Sequence, residues 1–418
     1  MANTLKLGNG KWATGKDTVM SFSDTNNNFK PLPFDFSRAS SATVVNQSGL
    51  IETVQSGTPR IDFLGNTKGA LLLEPTRINR ITQSEAFDNS YWTKTGSSVV
   101  GGFSSPSADS PLGAFKLVED TSTAPHRIIS SIATTLAGVN SISIYIKKGE
   151  LKNIGLKESQ ETGKYASFDL VNLTVLDKSS GVEANINSQI NGWIKLSMQV
   201  AITSTLIRFS THLLPNSYTS GDPNSSYTGD GTSGLYIFGA QLEAGSYATS
   251  YIPTSGQSGG VTRVADACNN GGNEQVINST EGVLYTEISA LADDGTNRII
   301  SLSDGTSSNR VLILYQVTSN LIRGQFSVSG QSTITINQTV DTTQFRKIAI
   351  NWNSTSVKLY INGQKIAETS TGYTFNSNVL KELAFDNVSG GEFYGKCKDV
   401  KVYNTALTDA ELQALTTI

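Results

Sequence analysis

Cysteine is nearly missing from this 418-residue chain. Only Cys268 and Cys397 occur, too few for a disulfide scaffold. Serine at both positions is expected to leave the melting temperature nearly unchanged. Histidine is as scarce, with His126 and His212 alone, so a zinc site of Cys and His type would have to gather scattered residues. Charged residues make up 16% and the net charge is -3, against roughly 25% charged in an average globular chain. No basic stripe appears, which leaves no electrostatic case for nucleic acid or an anionic membrane. No apolar run approaches the roughly 20 residues that span a bilayer, so membrane insertion is not expected. The opening "MANTLKLGNGKW" lacks the apolar core of a secretory signal. Synthesis in a cytoplasm without a signal peptide is the expectation.

Gly, Ser, Thr and Asn fill the space left by charge, and they favour turns and strands over helices. From Phe87 to Ile252 alternation dominates. Ile142, Ile144 and Ile146 share one face of "SISIYIKK", because successive side chains of a strand point to opposite sides. Ile194, Leu196, Met198 and Val200 do the same in "WIKLSMQV", and Ile207, Phe209, Thr211 and Leu213 in "LIRFSTHL". Short alternating strands with polar turns indicate an antiparallel sandwich or jelly roll. The passage "IFGAQLEAGSYATSYIPTSGQSGG", residues 237 to 260, then loosens through Pro253 into Gly and Ser, as a spacer would. Beyond it, Val357, Leu359 and Ile361 alternate up to Asn362-Gly363, a pair that tolerates the positive φ of a type I′ hairpin turn. Only the tail reads as helical: Thr408-Asp-Ala-Glu411 is a capping box, with Leu407, Leu412 and Leu415 available for packing.

The expected fold is mainly β, with two antiparallel β-sandwich domains after an extended N-terminal segment. The boundaries are 1–85, 86–255 for a jelly-roll-like sandwich, and 256–418 for the second sandwich. Segment 1–85 mixes polar and Gly residues with buried-looking Phe34, Phe36 and Leu71 to Leu73. Alone it should struggle to offset its ordering entropy, so partner chains are expected to cover it.

Two resemblances attach to particular passages. "FKPLPFDFSRASSATVVNQSGLIETV", "PRIDFLGNTKGALLLEPTR" and "GAQLEAGSYATSYIPT" resemble stretches of bacteriophage virion proteins, above all fibre and appendage proteins. "KLYINGQKIAE" and "KDVKVYNTALTDAELQAL" resemble the laminin-G-like, concanavalin A-like sandwich. The first resemblance implies an N-terminal segment that docks on other virion proteins, homo-oligomers (three copies preferred, two second), and location on a virion. The second implies a domain type broad in function, in which Ca²⁺ is sometimes held by loop oxygens.

The chemistry in the sequence is sparse. Concanavalin A-like glycanases carry Glu-x-Asp-x-x-Glu on one strand, placing acid and nucleophile on one face. No such run occurs. Glu287, Asp293 and Asp294 come nearest, and the last two are adjacent, pointing apart if extended and suiting a turn. His212 falls on the polar phase of its strand with Arg208, which suggests a solvent-facing residue, and no GxSxG elbow accompanies either histidine. Asp222, Asn224 and Asp230 in "GDPNSSYTGDG" are candidate Ca²⁺ oxygens, yet the loop lacks the glycine and glutamate of an EF-hand, and Asp and Asn make turns unaided. "GLKESQETGK" has the wrong glycine spacing for a phosphate loop. Tyr145, Trp193 and Tyr360 lie on polar phases and are candidate glycan contacts; the alternative is cover by a neighbouring domain or subunit. No catalytic or cofactor-binding residue is assigned.

The leading expectation is a non-enzymatic structural protein of a phage particle (tail or head fibre, spike or decoration) that displays its sandwiches for host attachment. Its alternatives are a lectin-like adhesin for host glycans and a glycan-degrading enzyme.

Overall fold

The structure, a computed structural model, describes residues 3–23, 30–388 and 390–418. Strands dominate, and helix Asp409–Thr416 is the one helix among the described residues. The chain forms two compact units. One holds residues 1–41, 54–75 and 264–418; the other holds 42–53 and 76–263.

In the first unit a large antiparallel sheet is centred on strand Gly395–Tyr403, which pairs along one side with Gly282–Ala290. Its other side is shared. Asn3–Gly8 takes the later half, with Leu7 opposite Val400, and Ala70–Leu73 takes the earlier half, with Leu71 opposite Cys397. A five-stranded sheet, ordered Ile334–Thr339, Leu321–Ser327, Arg310–Tyr315, Arg298–Ser303 and Glu382–Ala384, supplies the second layer. The core between them joins Leu284, Ile350 and Trp352 of one sheet to Ile300, Val311 and Phe326 of the other. Leu5, Phe34, Phe36 and Leu71 belong to the same core. Fully burying such a side chain is worth about 1.5–3 kcal/mol. The apolar pieces expected to need partner chains are therefore covered by the chain's own C-terminal strands, and the expected segment 1–85 does not stand apart.

Local signals in this unit are as read. Asn362 and Gly363 have φ of 50° and 80°, closing the hairpin between Ser356–Ile361 and Gln364–Ser370. Thr408 and Glu411 form both halves of the capping box. The helix lays Leu412 and Leu415 with Leu407 on the outer face of the large sheet.

In the second unit two six-stranded antiparallel sheets share one core. Ile142, Ile144, Ile146, Leu196, Met198 and Val200 meet Ile154, Phe168, Phe209 and Leu213, as alternation predicts. The Gly/Ser passage is no free spacer. Gly256 N–H donates to the Thr82 carbonyl at 2.6 Å, Arg80 Nη1 to the Gly259 carbonyl at 2.9 Å, and strand Val261–Arg263 pairs with Arg77–Asn79.

Buried ions gather the first unit. Asp266 accepts Arg38 Nη1 at 3.0 Å, Arg60 Nη2 and the Glu74 amide at 2.8 Å, while Arg60 Nη1 reaches Glu74 at 2.5 Å. The side chains of Arg38, Arg60 and Asp266 are fully buried, and burial opposed by two carboxylates leaves the Arg60 pKa above its usual value. Removing one member of a buried ionic group leaves the others uncompensated. Asp266→Ala is expected to cost about 3–5 kcal/mol, read as a lowered urea midpoint; a loss under about 1 kcal/mol would contradict this account. Cys268 and Cys397 are free thiols in the core, and burial pushes both thiol pKa values up. That corrects the expectation for serine, because its hydroxyl would be buried there at about 1–3 kcal/mol per site if left unpaired. A double Ser variant should melt measurably lower, and a double Ala variant should separate the hydroxyl's cost from that of lost volume.

Candidate functional site

The three aromatic candidates are all buried: Tyr145 at 5% exposure, Trp193 at 2% and Tyr360 at 2%. The chain's own residues cover them. Tyr360 lies under the C-terminal helix. Tyr145 packs edge-on to Tyr251 at 6.2 Å, and Trp193 edge-on to Phe238 at 6.4 Å. The reason lies in "GAQLEAGSYATSYIPT". Gln241 and Glu243 project from the polar phase and hold the segment that follows. The Gln241 amide oxygen accepts the Ile252 N–H at 2.6 Å, and Glu243 Oε2 accepts that of Thr249 at 3.0 Å. The chain thus folds back over its own sheet, and the reading of these rings as sugar platforms is corrected.

His212 is corrected likewise. It is fully buried, because the loop carrying Asp222 and Asn224 covers that face. Pro223 comes so close that a Cβ on Gly155 would sit 2.3 Å from its Cβ. Asp222 holds Lys157 at 2.5 Å, Asn224 accepts Arg127, and Asp230 accepts the Thr232 and Ser233 amides at 2.7 Å each. The three candidate Ca²⁺ ligands thus serve as loop anchors. Among the described residues no group of three or more His, Cys, Asp or Glu is placed to hold a metal ion. His212 Nε2 faces Ser210 Oγ at 2.9 Å, but both residues are fully buried and among the described residues no carboxylate hydrogen-bonds the ring, so no triad forms. His126 is also buried, its Nε2 3.0 Å from the Tyr227 carbonyl.

Asp293 and Asp294 sit in a turn, as expected. Asp294 binds Arg298 Nη2 at 2.8 Å, and Asp293 accepts the Asn320 amide at 3.0 Å. Glu287 stands opposite Asp399 across two strands, a pairing that no local spacing could reveal. Burial raises the Asp399 pKa, opposed by Lys401. Lys401 donates to Asp399, and Lys398 lies 3.7 Å from Glu287, so lysines occupy both carboxylates. The "GLKESQETGK" loop closes on its own Glu158, which accepts the Gln160 and Thr162 amides at 2.6 Å each.

A different surface carries unspent charge. On the outer face of the five-stranded sheet, register sets Ser303, Arg310 and Ser327 in one row, Ser301, Leu312, Gln325 and Thr335 in the next, and Ile299, Leu314, Arg323 and Asn337 in the third. Ile299, Leu312 and Leu314 form a small buried floor. Arg310 and Arg323 flank it. Arg323 Nε donates to the Asn337 side chain at 3.0 Å and Arg310 Nη1 to that of Asn387; among the described residues no carboxylate pairs with either. Arg310 Nε is buried without a partner, and burial alone lowers its pKa. A guanidinium offers up to five donors in a fixed fork suited to carboxylate, sulfate or phosphate. Neutral amides leave most of that capacity open. Sequence reading missed both arginines, because their common face appears only once the register is known.

Residues 286–413 match the laminin-G-type family model of the concanavalin A-like lectin/glucanases superfamily. No curated protein matches the chain in sequence. Among solved structures, it is similar to the CBM40 domain of Ruminococcus gnavus IT-sialidase bound to α2,3-sialyllactose, at 16% identity over 35% of this chain and 93% of that one, TM-score 0.30. It is also similar to domain 4 of a GH43 arabinanase from Geobacillus stearothermophilus, at 14% over 37% and 73%, TM-score 0.32. A third is the endo-β-1,3-glucanase of Pyrococcus furiosus, at 17% over 36% and 71%, TM-score 0.27. Scores this low say nothing of what this chain binds.

Burial holds the His212 pKa down to about 3, with Arg127 and Lys157 adding to the effect. The unfolded ring takes its proton near 6.5. Between those values the unfolded chain binds more protons, so this residue's contribution is full above about pH 6.5 and is lost as pH falls toward 3. The slope approaches about 1.4 kcal/mol per pH unit. His212→Gln should flatten the pH dependence of the urea midpoint in that window; an unchanged slope would show that the ring is not held neutral.

Proposed function

We propose that the chain is a non-catalytic glycan-binding protein whose first unit takes acidic saccharides on the outer face of its five-stranded sheet. The observation that carries this reading is the match of residues 286–413 to a lectin and glucanase family. The absence of the glycanase carboxylate run from the sequence favours binding over cleavage. Arg310 and Arg323 supply the charge preference, since a carboxylated or sulfated sugar provides the acceptors that their amide partners do not. Ca²⁺ is not needed by this reading, and loop-bound Ca²⁺ remains a separate proposal for the same assay.

The role in which this binding acts is proposed as host-surface attachment from a phage particle. It rests on the resemblance of the passages within residues 29–77 and of "GAQLEAGSYATSYIPT" to virion proteins. Docking to other virion proteins, self-association as a trimer and virion location belong to that proposal. Mass spectrometry of purified particles and light scattering of the full chain test them.

A glycan array probed with the full chain, with and without EDTA, tests the binding itself. Sialylated, uronated or sulfated glycans should bind, and Arg310→Ala or Arg323→Ala should weaken binding at least tenfold. An array without acidic ligands, or binding indifferent to both variants, would remove this surface from consideration.

A further inference from the structure

A cleft of about 260 Å³ opens in the second unit, walled by four parts of the chain. Its charged groups are Glu85 and Asp109, set among neutral polar side chains such as Gln83, Ser107 and Thr254. Its apolar wall is Pro111, Leu112 and Pro253. No Lys, Arg or His lines it.

The cleft is built in advance of any ligand. Glu85, only 8% exposed, accepts the Tyr251 hydroxyl on Oε1 at 2.9 Å and the Ser110 hydroxyl on Oε2 at 2.6 Å. Burial, then Glu85, pushes the Tyr251 pKa well up, so the phenol keeps its proton and donates. The 105–112 loop is fastened to strand Ile51–Val54: Ile51 N–H donates to the Pro106 carbonyl and Ala108 N–H to that of Ile51, both at 2.8 Å. Asp109 Oδ2 accepts the Thr53 amide at 2.5 Å. Asp109 is exposed, and its Oδ1 takes no hydrogen bond from the described residues. Each carboxylate oxygen can accept about two bonds, so Glu85 and Asp109, both in the cleft lining, have acceptor capacity beyond the bonds named. Leu112 is 46% exposed at the rim, an apolar surface with no protein partner over it.

We propose that this cleft binds one non-acidic sugar ring, independently of the arginine-bearing face of the first unit. A pyranose presents hydroxyl donors on its edge and C–H groups on its face. The edge suits two acceptor-only carboxylates, and the face suits Leu112 with Pro111 and Pro253. The volume lies just under the roughly 300–1,000 Å³ of sites for drug-sized ligands, which fits one ring and not a chain. The two carboxylates exclude uronic and sialic acids, whose own charge would be repelled. The preference is therefore opposite to that proposed for Arg310 and Arg323.

The test uses the full chain and four methyl glycosides (glucoside, galactoside, mannoside and N-acetylglucosaminide), with glucuronic acid and Ca²⁺ as separate probes. Saturation-transfer NMR and the ¹³C methyl shifts of Leu112 report binding. At least one neutral glycoside should bind in the millimolar range and shift Leu112, whereas glucuronic acid, tested on the paired Arg310→Ala, Arg323→Ala protein, should shift Leu112 at least tenfold more weakly. Asp109→Asn and the exposed Leu112→Asp should each weaken binding at least fivefold while the melting temperature stays within about 2 °C, and the paired Arg310→Ala, Arg323→Ala protein should bind as the parent does. No neutral glycoside binding, glucuronic acid shifting Leu112 as strongly as the neutral glycoside does, or Ca²⁺ alone moving Leu112 would each overturn the proposal. None of these outcomes bears on the arginine face.

Discussion

Asp266 stands between two arginines in an interior closed to water, and the first unit depends on that arrangement. Its chain passes in and out near residues 41, 54, 75 and 264. Each passage is held by the same group of ions. Arg38 lies before the first, and its Nη2 donates to the Gln55 carbonyl at 2.7 Å, just after the second. Glu74 lies before the third, bound to Arg60, and Asp266 follows the fourth. A unit assembled from three separated stretches has more chain ends to gather than a continuous one. Apolar contacts cannot gather them in register, because hydrophobic attraction has no direction. Guanidinium forks can, since their donors leave the ring in fixed directions.

The arrangement is costly. Taking three or four charges out of water is repaid only when every donor and acceptor finds a partner. That is why a buried ionic group is weak evidence for stability and better evidence for specificity. Here it selects one path among the many by which residues 1–75 could have met the C-terminal strands. The hydrophobic core then adds strength without deciding register: Leu71 opposite Cys397 and Leu7 opposite Val400 place apolar residues inward, but a slip of two residues would do so as well.

Legibility in the sequence follows the range of each interaction. The Asn362-Gly363 turn and the Thr408 capping box involve residues two or three apart, and both were readable. So were the inward faces of "SISIYIKK" and "WIKLSMQV", because alternation needs only neighbours. Strand Asn3–Gly8 pairs with residues almost 400 positions later, and nothing in its composition names that partner. The same limit explains Tyr145, Trp193 and His212. Alternation tells which phase packs against the opposing sheet, yet it is silent on whether the other phase is covered. In this protein loops cover it, so Ser141, Ser143, Ser197 and Ser210 are buried on nominally polar phases. Arg310 and Arg323 escaped notice for the converse reason, since each is an ordinary polar-phase residue until the register sets it beside a partner without charge.

That cover also limits how this protein can recognise anything. No Phe, Tyr or Trp among the residues with described burial is exposed; the large apolar side chains that reach solvent are aliphatic, such as Leu112, Val317 and Leu136. No fully open ring of the kind that first suggested glycan binding is found on these surfaces; the rings that do reach solvent, such as Tyr165, Tyr218 and Tyr236, are half-buried. The two proposed sites rely instead on charge and directed hydrogen bonds: guanidiniums that meet no acid among the described residues of one unit, and carboxylates in a cleft of the other that no Lys, Arg or His lines. Such groups discriminate more sharply than a ring face does. A buried polar group left unpaired by the wrong ligand costs about 1–3 kcal/mol, whereas a poorly matched stack loses only part of its contact area.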